Sequence, residues 1–206
     1  MKLIYVMDPL CGWCFGNSDN TLKLFDKYSN KIVFEVFPAG MWTGSNKKNQ
    51  IQSMADYFLK HDLAIEQKTG VKFGEAYFDF VKNNDVILDS EIPSRAIIAV
   101  KEIKPGLVIP FAVKVQQSRY CHGKDLNLEE TYYSICEQLN IDVKLFSQLF
   151  NSEQIKRATQ DSFLKAAEYA QAYPTLLLEK DGVFTQLEQG YAPFDELDKK
   201  IQELIN

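Results

Sequence analysis

MDPLCGWCFGN (Met7–Asn17) sets two cysteines two residues apart near the start of a chain of 206 residues. The pair follows a short apolar run, Leu3–Met7, closed by Asp8-Pro9. That length and the proline stop predict a buried strand. Beyond the pair, Cys14, Phe15, Leu22, Phe25 and Tyr28 fit one helical stripe from Cys11 to Tyr28, with Leu24 off it, and Ser29-Asn30 breaks the chain. KIVFEVFP (Lys31–Pro38) is rich in β-branched and aromatic residues and predicts a second strand. The opening is therefore strand, CxxC, helix, strand.

Three chemistries use such a pair. A closed zinc site needs four ligands. The remaining candidates, Cys121, His122, Cys136 and His61, form no second CxxC or HxxxH, so no metal is expected. Two core cysteines would simply pack as small hydrophobes. Redox chemistry fits the position best. At the start of a helix, unpaired backbone N–H groups and the positive dipole end stabilise a thiolate. Cys11 would sit in the first turn with its sulfur exposed and act as nucleophile. Cys14, one turn further in, would resolve the mixed disulfide.

Composition narrows the field. Four cysteines in 206 residues are too few for a disulfide scaffold, and a chain this long can bury a core without staples. It suits one large domain, or a small one carrying an insertion. The net charge of -5 and the absence of any basic block exclude a nucleic-acid surface. NKKN (Asn46–Asn49) is the densest basic spot and reads as a solvated loop. The apolar run at Leu3–Met7 is shorter than the roughly 7–15 residues of an export signal. No stretch approaches the ~18 apolar residues of a membrane span. A cytoplasmic location without nucleic-acid or membrane partners is expected.

From Gly44 to Asn151 the chain reads as helical, with Gly70 and Pro105-Gly106 as stops and Pro110 tolerated in an early turn. A long helix follows, opened by a Ser152 cap. YPTLLLEKDGVFTQLEQG (Tyr173–Gly190) is two strand runs around Lys180-Asp181-Gly182, and Asp-Gly between apolar runs is a strong hairpin signal. Pro193 then stands at the first turn of an amphipathic helix presenting Leu197, Ile201 and Leu204. The order predicts an α/β fold: a four-stranded mixed sheet from residues 1–43 and 152–206, with residues 44–151 as an all-helical insertion domain.

Two segments then carry a resemblance. YPTLLLEKDGVFTQLEQGYAPFDELDKKIQELI (Tyr173–Ile205) resembles the C-terminal half of thioredoxin. DPLCGWCFG (Asp8–Gly16), with a helical insertion, resembles the DsbA family. LDSEIPSRAIIAV and VQQSRYCHGKDLN look like the helical domain of its FrnE-like cytoplasmic branch of disulfide isomerases. The resemblance covers nearly the whole chain and implies a thioredoxin-like fold and a thiol–disulfide oxidoreductase.

It further implies that Pro174 is cis and faces the CxxC. Substrate would be held by Tyr173-Pro174-Thr175, Tyr173 presenting backbone groups to an extended polypeptide. Trp13 is open to two roles: an exposed apolar contact beside Phe15, Met41 and Trp42, or packing against the helical region. Thioredoxin and DsbA carry a buried acid where this chain has Tyr5; Asp8 either replaces it or is a turn residue before Pro9. Cys121 and Cys136 are expected as free thiols. Substrates would be protein or peptide thiols and disulfides, with an unidentified recycling partner and no cofactor except glutathione as a reductant. In a reducing cytosol the pair would rest as a dithiol and favour reduction or isomerisation. Kappa-class glutathione transferases and 2-hydroxychromene-2-carboxylate isomerases resemble the chain in architecture, but carry serine at the position of Cys11 and need no Cys14. A redox-gated adaptor is the third possibility.

Overall fold

The computed structural model describes residues 1–205; Asn206, the last residue of the expected C-terminal segment, lies outside the described residues. The chain opens with β1 (Lys2–Met7), α1 (Gly12–Gly16), α2 (Ser18–Tyr28) and β2 (Val33–Pro38). It continues through β3 (Lys48–Asn49), α3 (Gln52–Thr69), α4 (Glu75–Phe80), β4 (Ile87–Leu88), α5 (Glu91–Ile103), α6 (Val108–Tyr120), α7 (Glu130–Gln138) and α8 (Val143–Phe150). It closes with α9 (Glu153–Tyr169), β5 (Thr175–Lys180), β6 (Val183–Gln189) and α10 (Phe194–Ile205).

The main sheet has the order β2-β1-β5-β6, with β1 and β2 parallel and the other pairs antiparallel. It is the four-stranded mixed sheet of a thioredoxin-like fold. β1 reads as an unbroken apolar run because it is central and covered on both sides. Leu3, Tyr5 and Met7 enter the large core with Leu24, Tyr28, Leu197 and Ile201, while Ile4 and Val6 meet Ala166 of α9 and Leu177. The β5–β6 turn places Asp181 at φ 55° and Gly182 at φ 80°. Positive φ at both central residues is what a two-residue type I′ hairpin requires.

Three local features differ from expectation. The first helix breaks at Asn17, which ends α1 and precedes α2. The break re-phases the stripe, so Thr21, Leu24 and Tyr28 point inward and Leu24 becomes a core residue. The segment 44–151 is not all helical, because β3 and β4 pair as a short antiparallel ribbon through Lys48↔Leu88 and Asn49↔Ile87. Two-residue strands leave no alternation for a sequence pattern to display. Finally, β6 carries a bulge opposite Leu176 and Leu177. The extra residue lets consecutive Leu187 and Glu188 both turn inward.

Candidate active site

Cys11 is the N-cap of α1, in extended conformation, rather than a residue of its first turn. Its sulfur accepts the Cys14 N–H at 3.3 Å. A single backbone donor is thus aimed at the sulfur from within a five-residue helix. The sulfur is not broadly exposed as expected: Cys11 is only 8% accessible and opens onto a cavity. Cys14 is 0% accessible, and burial, reinforced by Cys11, pushes its thiol well above the ordinary range. The geometry thus separates an approachable sulfur from a protected one.

The Tyr173–Pro174 peptide is cis. The Tyr173 carbonyl stands 3.7 Å from the Cys11 sulfur, which donates to it. Among the described residues the Tyr173 N–H finds no acceptor, while its carbonyl stands beside the Cys11 sulfur. Pro174 is buried and its carbonyl accepts from Gly190 N at 2.7 Å. Thr175 does not line the cavity. It is paired on both sides within the sheet, is 1% exposed, and its hydroxyl donates to Ala172 O at 2.8 Å.

Trp13 is 38% exposed and lines the cavity beside Cys11. Met41 and Trp42 line it as well, but Phe15 does not. Phe15 is buried, stacked on Tyr120 at 4.9 Å and edge-on to Phe73 at 4.9 Å, so its expected role as an exposed contact is corrected. The cavity, about 210 Å³, is also lined by Tyr57, Phe58, His61, Asp62, Tyr77 and Arg119.

Asp62 and Arg119 were not legible as site residues from motif or spacing. The available signal was an acid on the inward stripe of α3, between Ala55 and Ile65. Tyr77 donates to Asp62 at 2.7 Å, and Arg119 donates to Gln50 at 2.7 Å with its guanidinium 5.2 Å from the Phe80 ring centre. α3 approaches α1 closely because the CxxC and its neighbour supply glycines. A Cβ on Gly12 would stand 2.9 Å from Asp62 Oδ1, and one on Gly16 would stand 2.6 Å from Ile65 Cγ2.

Two other acids lie near the pair. Asp8 is fully buried and accepts from Leu10 N (2.9 Å), Met41 N (2.7 Å) and Ser90 Oγ (2.9 Å). It is a turn residue and also a tie between three segments, each of its oxygens already holding a donor. Glu188 accepts from Asn17 Nδ2 and Ala192 N, both at 2.8 Å, and burial pushes its carboxyl up to about 7. Through Tyr5↔Leu176 and Leu176↔Glu188 it lies in cross-strand line with Tyr5. The Tyr5 hydroxyl reaches Cys14 O at 3.4 Å, and burial pushes it far above its ordinary range, so it stays neutral. Of the other thiols, Cys136 is buried and pushed up to about 12 by burial, while Cys121 is half-buried at the end of α6. Neither lines the cavity.

The sequence matches the profile of a family described as thioredoxin over residues 4–183. In three dimensions the chain resembles a Nitrosomonas europaea protein assigned as a protein disulfide isomerase, at 24% identity and TM-score 0.87, covering 100% of this chain and 98% of that one. It also resembles the cytosolic disulfide reductase DsbM from Pseudomonas aeruginosa, at 26% identity and TM-score 0.81, covering 100% and 99%. DsbM has been solved with glutathione as well. In sequence, the ClpXP adapter protein SpxH of Bacillus subtilis is 23% identical over 209 residues. That match covers 96% of this chain, which spans 66% of the length of SpxH.

Proposed function

This chain belongs to the thioredoxin family, and on that premise we propose that it is a DsbA-like thiol–disulfide oxidoreductase whose redox pair is Cys11 and Cys14. The observation that carries this is the Cys11 sulfur itself. It accepts the Cys14 N–H, touches the Tyr173 carbonyl, and opens onto a cavity while Cys14 is sealed beneath it.

The reaction follows from that division. The Cys11 thiolate attacks one sulfur of a substrate disulfide. A Cys11–substrate disulfide forms, and the other substrate sulfur leaves with the electron pair of the broken bond. Cys14 gives up its proton and attacks the Cys11 sulfur, closing the Cys11–Cys14 disulfide and releasing the second substrate thiolate. Two electrons pass to the substrate, and two equivalents of a thiol return the pair to the dithiol. Tyr173 offers its free N–H and its carbonyl to an extended peptide, and Trp13 offers an apolar face. Reduction or isomerisation of protein and peptide disulfides in the cytosol, with glutathione as reductant, is the direction we favour. The likeness to cytosolic DsbM, also solved with glutathione, supports it.

The match to SpxH favours a second reading, a stoichiometric adaptor. A small-molecule transferase or isomerase of the same architecture has less support, because both cysteines are present and adjacent. One experiment separates the three. Cys14→Ala should trap covalent, reductant-sensitive complexes with protein substrates on non-reducing gels, and Cys11→Ala should trap none. Cys121→Ala and Cys136→Ala should behave like the parent. If Cys14→Ala traps nothing and keeps full turnover of a small electrophile, the two-cysteine mechanism is wrong. If the parent binds its partner in fixed ratio without turnover, the adaptor reading replaces it.

A further inference from the structure

Building on Cys11 as the attacking sulfur, we propose that Asp62 donates the proton to the sulfur that leaves when Cys11 attacks a small disulfide in the adjoining cavity. When the step runs backwards it accepts the proton of the incoming small thiol. Asp62 belongs to α3 and is only 4% exposed, yet it lines the same cavity as Cys11. Its Oδ2 accepts the Tyr77 hydroxyl. Its Oδ1 has no donor among the described residues, and lies 2.9 Å from where a Cβ would stand on Gly12, the neighbour of Cys11. Buried carboxylates normally collect donors on both oxygens. Anchoring Tyr77 accounts for one oxygen and leaves the other turned to the CxxC without a partner.

The step balances. The Cys11 thiolate bonds to one sulfur of R–S–S–R, and the S–S bond breaks. The departing sulfur takes both electrons of that bond and the Asp62 proton. The products are the Cys11–S–S–R mixed disulfide, R–SH and the Asp62 carboxylate, which regains a proton from water. An apolar, partly enclosed cavity makes an unprotonated leaving thiolate costly, so a nearby acid has most effect there.

The surroundings suit an acid working near neutrality. Burial pushes the Asp62 carboxyl up to about 6. The Tyr77 hydroxyl of α4, Arg119 of α6 and His61 of α3 pull it down, and Glu66 of α3 pushes it up. Tyr57, Tyr120 and Cys11 are the other titratable groups lining the cavity.

The test compares two neutral disulfides on the reduced parent and on Asp62→Asn. Bis(hydroxyethyl) disulfide releases a basic thiolate that needs a proton, whereas dithiodipyridine releases a pyridinethiolate whose charge is spread onto the ring nitrogen, so it leaves without a proton from the protein. Both rates depend equally on the Cys11 thiolate, which cancels in their ratio. In the parent, the ratio of the first rate to the second should fall tenfold or more as pH rises through about 6. In Asp62→Asn the ratio should be flat, with the dithiodipyridine rate within about twofold of the parent. Equal slowing of both probes would mean a structural role and overturn the proposal, as would an unchanged ratio in the variant. If Asp62→Asn fails to fold, a flat ratio in the parent overturns it alone. Because only the first attack is read, loss of Cys14→Ala trapping would strike the two-cysteine reading and leave this ratio untouched.

Discussion

At the residue scale, the CGWC motif serves two separable ends. Its cysteines are the pair we propose for the redox step, and its glycine lets α3 close over it. Gly16 extends that contact surface by one turn, against Ile65 and Thr69. A methyl at Gly16 would meet Ile65 Cγ2 at 2.6 Å, on a β-branched side chain with little freedom to turn. Ala favours a helix interior over Gly by about 1 kcal/mol, but overpacking a tight contact costs about 1–3 kcal/mol. Gly16→Ala should therefore lower stability by about 1 kcal/mol net and move α3 away from the CxxC. A denaturant midpoint equal to or above that of the parent would show that the contact relaxes freely. Tyr5 illustrates the opposite limit of a motif. Its place in the strand marks a departure from the usual buried acid, but its hydroxyl contact with Cys14 O is visible only in three dimensions.

At the element scale, the bulge in β6 turns Glu188 inward beside the junction of α1 and α2. Its carboxyl is pushed up to about 7 by burial, against a usual 4.5. Between those values the folded chain holds a proton there that the unfolded chain has released. The unfolded state thus binds fewer protons, and stability must fall as pH rises from about 4.5 to about 7. The contribution is on the order of a few kcal/mol. Glu188→Gln cannot ionise, and Asn17 can turn its amide to meet it. The variant should lose this segment of the pH dependence of Tm and melt higher than the parent at pH 8, measured by calorimetry. Parallel Tm-against-pH curves for the two proteins would show that Glu188 is not the group responsible. The hairpin beside it was legible because Asp181-Gly182 is a local backbone requirement, whereas the bulge depends on which residues the facing strand and α2 can accept.

At the scale of the whole molecule, the sheet and α5–α8 share the largest core, with α3 and α4 packed in a smaller one beside Phe15. The largest apolar cluster runs from β1 and α2 through α5–α8 to β5 and α10. Asp8 adds a polar tie, joining the end of β1 to Met41 and to Ser90 at the start of α5. We therefore propose that the segments 1–43 and 152–206 unfold together with 44–151, so that the insertion does not behave as an independent domain. Asp8→Ala would leave the Leu10 and Met41 N–H groups and the Ser90 hydroxyl without their acceptor. It should cost about 3–5 kcal/mol while keeping a single transition. Separate unfolding steps by fluorescence and circular dichroism would refute the shared core. What rests on local periodicity and covalent spacing could be read directly from the chain. The apolar run of β1, the Asp181-Gly182 turn, the Ser152 cap, the reach of Cys14 to Cys11 and the mixed sheet implied by that order all follow from residues near one another. Tertiary structure alone decided the cavity wall of Asp62, Tyr77 and Arg119, the sealing of Cys14, the burial of Phe15 and the inward turn of Glu188. Each of these depends on contacts between distant segments, and on a loss of water that no local pattern encodes.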